Sequence, residues 1–395
     1  MIEEELDSLE LPTETDSYRL RLVAGRTLAV ERRRTMIDPS SRVFISRMGD
    51  AIPADVGEAL DRVGAPGIMN PGSLVAIKVN LGGGIAGVPS SFSDPLVVEG
   101  VVDKARELGA VPFVCEADMR TLTMDQGLLA RRALYPLLVR KDVPFVNLSH
   151  LAGIDFRPCG WTRSLHLPRA LLHPSVKIVS VPALKHHWEC GVTLAGKNMY
   201  GAISERQKSL FHRGGAIDET VAAAARAVAP DISLLAHRQV GGSLGPHFCV
   251  PIDSGYIVAS DSVLAADRVG CDLMGVDWRQ VKHLQINCGG REIQYRLVDG
   301  SARLDPVVTR RIARTAIGPA KRWLWRALLY PQYFVPHSAQ YKQIPRFEAL
   351  GTWANWLFFH TRGDPWPSSW HTRYTFSSSR FKVSTTSGEG ISRPT

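Results

Sequence analysis

Lys185, His186, His187, Glu189, Cys190, Lys197, Asn198, Lys208 and His212 crowd into the one short stretch from residue 185 to residue 212. An imidazole shuttles protons near neutrality or ligates a borderline metal, and a primary amine holds an anion or forms a covalent adduct. His187, Lys197 and His212 are ten and fifteen residues apart, too far for one helical face. That spacing suits convergence from a strand end, a glycine-containing loop and the element that follows. Burying three such cationic groups is costly without an anionic partner, and a bound acid would supply one. A solvated cationic patch is the competing reading. On the acid-binding reading His187, Lys197 and His212 are the catalytic candidates, with His187 and His212 also able to ligate a metal.

A second set of candidates lies upstream. In the run from Ser73 to Leu81, Lys78 and Asn80 fall on one side of the strand while Ile77, Val79 and Leu81 take the other. Both precede Gly82, Gly83 and Gly84, whose successive N–H groups can form a concavity for a phosphate or carboxylate. Neither phosphate-loop spacing, Gly-x-x-x-x-Gly-Lys-Ser/Thr or Gly-x-Gly-x-x-Gly, is present, so no ordinary nucleotide loop is encoded. Lys78, Asn80, Gly82 and Gly83, with Lys185 and Asn198, are therefore substrate-binding candidates. Glu116 ends another apolar run and is a candidate general base or histidine-orienting group.

The elements that must position these groups follow from hydrophobic periodicity. Strands are expected at 42–46, 73–81, 110–115, 144–148, 176–184, 232–235 and 255–259. Helices are expected at 54–63, from Pro95 to Gly109 with Ser93 or Asp94 as cap, at 126–140, 217–228, 261–274 capped by Ser260 or Asp261, and 282–288. Residues 155–169 suggest a loop with a hairpin, and Gly241 to Pro246 a loop. Strand, helix, strand order from 73 to 115 implies a parallel pairing, so the fold class is α/β, a parallel or mixed sheet with flanking helices, in one or two lobes. Ligands in such folds sit where strands leave the sheet.

Residues 1–41 read as an N-terminal arm, 42–305 as the α/β core, and 306–395 as a basic aromatic extension. The extension carries six of the nine tryptophans and 13 Lys and Arg against 3 Asp and Glu, enough to account for the net charge of +9. It can wrap the core or a second copy of the chain, making a homodimer, or bind nucleic acid or an anionic membrane surface. Wrapping is favoured because no groove-reading motif accompanies the charge. Its Ser, Thr and Gly-rich end beyond Ser377 is expected to be disordered. No apolar run approaches the roughly 18 residues of a spanning helix, and a cytoplasmic protein is expected. The six cysteines contain no Cys-x-x-Cys pair, so no iron–sulfur cluster is expected.

The ordered set Lys78-x-Asn80, Ser93-Asp94-Pro95, Glu107 to Ala110, Glu116, Lys185-x-His187, Thr193-x-x-x-Lys197-Asn198, Gly201, His212, Gly245-Pro246 and Ser260-Asp261-x-Val263-x-x-x-Asp267 resembles the domain-of-unknown-function family 362 (DUF362) over about residues 42–300. Many of that family carry an added ferredoxin-like cysteine module, which this chain lacks. A more distant resemblance is to the nickel-pincer lactate racemases. It implies an acid/base role for His187, a cofactor tether at Lys197 and a metal-ligand role for His212. That family's tandem glycines are replaced here by Ala195-Gly196, and its Asp-x-Thr-Arg phosphate motif is absent.

The expected function is an enzyme, isomerase or oxidoreductase in type, acting on a small carboxylate-bearing anion by His and Lys acid–base chemistry. A transition metal is the cofactor candidate. A cofactorless acid/base enzyme and a polyanion-binding protein acting through the extension are the alternatives.

Overall fold

The computed structural model describes residues 2–32, 36–82, 89–119, 122–213, 215–246 and 248–318, apart from the side chains of Ser209, Arg213 and Phe248. Gly83 and the extension from residue 319 onward, with the homodimer and polyanion expectations placed on it, lie outside the described residues.

Fourteen strands are described. β1 (Tyr18–Val23), β2 (Arg26–Glu31), β7 (Gly153–Arg157) and β8 (Leu165–Pro168) form a small sheet in that order. The larger sheet runs β14 (Arg296–Leu297), β3 (Arg42–Arg47), β13 (Phe248–Ser260), β12 (Ile232–Leu244), β9 (Val176–Val181), β4 (Leu74–Val79), β5 (Val111–Glu116) and β6 (Phe145–Asn147). The short hairpin β10 (Lys185–His187) and β11 (Gly191–Thr193) joins it through a Lys185–Gly241 pairing. β12, β9, β4, β5 and β6 are mutually parallel, while β13 is antiparallel to both β12 and β3. The fold is thus mixed α/β, and the carboxyl ends of β4, β5 and β9 share one edge.

Every residue of β4 is buried, as expected for an interior parallel strand. Its side chains alternate between two cores. Val75, Ile77 and Val79 pack with helices Ile52–Arg62 and Pro95–Glu107, whereas Leu74 and Ala76 pack toward helix Ile217–Val228. Lys78 belongs to the second row by register. Helix Pro95–Glu107 starts on the Asp94 side chain, which accepts the Leu96 N–H at 3.1 Å, with Pro95 at the first helical position.

Several local expectations are corrected. The glycine-rich stretch from Gly241 to Pro246 is not a loop but the tip of a long hairpin, β12 and β13. A Cβ at Gly241 would stand 2.7 Å from Cβ of Lys185, and one at Gly242 2.5 Å from Oγ1 of Thr315, so glycine there permits close backbone approach. The expected helix 126–140 is two helices, Gln126–Arg131 and Tyr135–Lys141, broken at Ala133 with φ of 55°. Ser262 caps helix Val263–Met274, and Asp261 instead binds Arg42 through both the backbone N–H and the guanidinium. Residues 18–31 hold more regular structure than their lack of a clean period suggests. Among the described residues no helix is long and apolar enough to cross a membrane.

Candidate active site

The polar candidates gather at the carboxyl ends of β4, β5 and β9 and on the segments that cover them. Lys78 is fully buried and donates to the Glu116 carboxylate at 2.6 Å, to the Val79 carbonyl at 2.9 Å and toward Asn198 Oδ1 at 3.5 Å. Glu116 also accepts the N–H groups of Ala117 and Leu81. The pair therefore ties the end of β5 to the chain leaving β4, and three oxygens already meet the three ammonium protons.

Lys185 is held in the same manner. Its ammonium donates to Asn80 Oδ1 at 2.9 Å and to the carbonyls of Gly82 and Ser91. Burial pushes its pKa down to about 7, and the neighbouring Lys197 and Arg132 charges act in the same direction. Asn198 donates to the Lys78 carbonyl and the Ser180 hydroxyl, clipping helix Ala195–Met199 to β4 and β9. Ser93 bridges the two strand ends, accepting from Asn80 N and donating to the Val181 carbonyl.

The histidines carry opposite hydrogen-bonding edges. Nδ1 of His187 accepts the N–H groups of Glu189 at 3.1 Å and Cys190 at 3.2 Å, which assigns the proton of the neutral ring to Nε2. Nδ1 of His212 meets the Glu189 carboxylate at 2.8 Å, so Nδ1 carries the proton and Nε2 the lone pair. Glu189 thus joins both rings. Its second oxygen, Oε1, is buried without a hydrogen-bond donor among the described residues.

Tyr200 links His212 to Lys197. Its ring meets the His212 ring edge-on at 5.6 Å between centroids, and the Lys197 ammonium lies 5.4 Å from the Tyr200 centroid. Half-buried Lys197 makes no hydrogen bond or ion pair among the described residues. The structure therefore links His187, His212 and Lys197 through Glu189 and Tyr200, while Asn80 receives Lys185 and Asn198 bonds Lys78.

Among the described residues no group of three or more His, Cys, Asp and Glu is arranged to hold a metal. Nδ1 of His187 accepts two backbone amides and the proton of the neutral ring sits on Nε2, so that ring offers a metal no nitrogen lone pair beyond those bonds.

Three contributors carried no assigned role in the sequence reading. Glu189 orients both histidines; its position two residues after His187 was the available signal. Lys208, with 6% exposure, donates to the Asp118 carbonyl at 2.8 Å, and burial lowers its pKa to about 8. Its spacing of four residues before His212 on helix Glu205–Arg213 places both on one face. Asp267 is buried and accepts the N–H groups of Ala195 and Gly196, anchoring the start of the Lys197 helix.

A thylakoid-associated protein of Synechocystis sp. is 27% identical over 230 residues, covering 57% of this chain and 70% of that protein. The lactate racemase apoprotein of Thermoanaerobacterium thermosaccharolyticum superposes with a TM-score of 0.39 and 15% identity, over 63% of this chain and 60% of that one. Residues 75–272 match the Domain of unknown function (DUF362) family, and the chain belongs to that family.

Proposed function

We propose that this protein is an enzyme that moves a proton on a small carboxylate-bearing molecule, with Lys197 holding the acid and His187 and His212 serving as the proton-transfer pair. The observation that carries the reading is the complementary state of the two rings. One presents an N–H at Nε2 and the other a lone pair at Nε2, and the same residue, Glu189, fixes both.

An acid–base pair needs one group ready to give and one ready to take a proton. His212 is suited to take a proton from the ligand at Nε2 and His187 to give its Nε2 proton in return, its Nδ1 held by two N–H donors. The pair is restored when the imidazolium of His212 passes its proton to the His187 ring through solvent. The electron pair released at a carbon next to a carboxylate delocalises onto the carboxylate oxygens, where the Lys197 charge stabilises it. Proton transfer of this kind is common to isomerisation and redox chemistry at that carbon. The unsatisfied Oε1 of Glu189 offers an acceptor for a hydroxyl or ammonium group on the ligand. Lys78 and Lys185 then act as buried pins that set the strand ends and the start of the glycine loop, rather than as direct ligands.

Calorimetric titration of the full chain with small carboxylic acids tests the reading. Saturable binding is expected in the wild type, lost in Lys197→Met and retained in Lys197→Arg. Equal binding by wild type and Lys197→Met would overturn it.

A further inference from the structure

A second concentration of charge lies outside the histidine site. Near the end of β3, the hairpin strands β12 and β13 fall out of register: His237 faces Tyr256 and Gln239 faces Asp253, so Arg238 alone stands opposite Ser254 and Gly255. Gly255, with φ of 63°, accommodates this bulge. A bulge re-aims the side chains around it. Arg238, Ser254 and Gly255 border a cleft of about 520 Å³, large enough for a small organic molecule.

Three arginines from three elements line that cleft: Arg47 at the end of β3, Arg238 on β12 and Arg311 on helix Pro306–Ala313. Each is pinned by an acceptor. Arg238 donates from Nε and Nη2 to the buried Asp94 carboxylate at 2.7 and 3.0 Å. Arg47 donates from Nη1 to the Ser254 carbonyl at 3.0 Å, lies 4.0 Å from the Tyr256 ring centroid and reaches Asp305 only at 3.5 Å. Arg311 donates from Nη2 to the Asp253 carbonyl. A guanidinium carries five N–H donors in a fixed fork, so among the described residues all three keep donors for a further acceptor. Two carboxylates share the lining. Asp253 accepts from Gln239 Nε2 at 2.8 Å, and Asp50 is exposed to solvent. The Ser254 hydroxyl is an independent sign of a missing partner. Ser254 lines the cleft with 4% exposure, and its Oγ is buried without a hydrogen-bond partner among the described residues. Helix Ile52–Arg62 begins at the same wall, and its cap residue, Ala51, supplies no side-chain acceptor to its positive end.

We infer that this cleft binds a phosphate-type dianion, either the free ion or the head of a small phosphorylated molecule. Forked donors from three elements suit a tetrahedral oxyanion, and the Ser254 hydroxyl has a proton to give it. The apolar residues Met48, Ile52, Leu96 and Val308 in the same lining can take an organic body. The cleft shares no residue with the Lys197 and histidine group, and the inference does not rest on the carboxylate reading.

The test is calorimetry on the full chain with inorganic phosphate and phenyl phosphate, in sodium chloride at about 0.15 M to screen diffuse attraction to basic surface. Wild type is expected to bind at least one of the two saturably, and Lys197→Met to bind it equally well. Tighter binding of phenyl phosphate points to a phosphorylated molecule held against the apolar wall, and tighter binding of inorganic phosphate to the free ion. Arg311→Gln should weaken the affinity about tenfold or more, and Arg47→Gln should do the same independently. Absence of saturable binding of either phosphate by the wild type would overturn the inference, a result that does not depend on any variant folding. So would affinity unchanged in both arginine variants, or binding lost in Lys197→Met, which would assign the phosphate to the acid site instead.

Discussion

The Glu189 carboxylate receives the Nδ1–H of His212 at 2.8 Å, with the Glu189 side chain 1% exposed, and this bond fixes which edge of the ring faces outward. Nitrogen-15 NMR of the imidazoles should find neutral His212 protonated at Nδ1 and neutral His187 at Nε2. Replacing Glu189 with Gln weakens the acceptor and frees the ring, and proton-transfer activity should fall about 10–100-fold. His212 protonated at Nε2 in the wild type would contradict the assignment.

The Lys78–Glu116 pair is sealed, with side-chain exposures of 0% and 2%. Removing one partner leaves the other charge buried alone. Lys78→Met or Glu116→Gln should each destabilise the fold by about 3–5 kcal/mol in urea unfolding. Replacing both with apolar residues should recover much of that loss. Losses below about 1 kcal/mol, the range of surface pairs, would argue that water reaches the pair.

Gly201 is tested by adding one methyl group. A Cβ there would stand 2.8 Å from the Lys78 ammonium and 2.9 Å from Glu116 Oε1. Both ends are locked in the pair, so relief requires backbone or ion-pair movement. Gly201→Ala should cost about 1–3 kcal/mol and weaken acid binding in the same preparation. An unchanged melting temperature would show that the pair has room to shift.

Asp267 should give the fold a pH dependence of unusual sign for an aspartate. Burial raises its pKa from 3.8 to about 7, against the two backbone N–H groups that favour the anion. The folded state therefore holds this proton more tightly than the unfolded chain between those values. Its contribution is fully present below the unfolded pKa and is lost as pH rises toward about 7, with a slope of at most about 1.4 kcal/mol per pH unit. Wild type should lose more stability between about pH 5 and about pH 7.5 than Asp267→Asn does. Parallel curves would remove Asp267 as the cause.

The ends of β4, β5 and β9 were legible because Lys78, Glu116 and Lys185 each close or follow an apolar run, and such runs read directly as buried strands. The candidacy of His187, Lys197 and His212 followed from their types and spacing. Their pairing did not, because spacing cannot say which ring edge a carboxylate will hold, and Glu189 assigns both. Lys78 looked like an open anion seat since its partner lies 38 residues away on the neighbouring strand. The hairpin around Gly241 and Gly242 was hidden for a related reason. Glycine reads locally as a turn, whereas here it makes room for Lys185 and Thr315, both distant in sequence.

The most direct test of the proton-transfer account is hydrogen exchange at the carbon next to the carboxylate, followed by proton NMR in deuterium oxide with whichever small acid binds. The wild type should wash deuterium into that position. His187→Gln and His212→Gln should each slow exchange about 10²–10⁴-fold while leaving the acid bound on Lys197. An acid that binds and exchanges no faster than in free solution, or exchange that survives both replacements, would contradict the account.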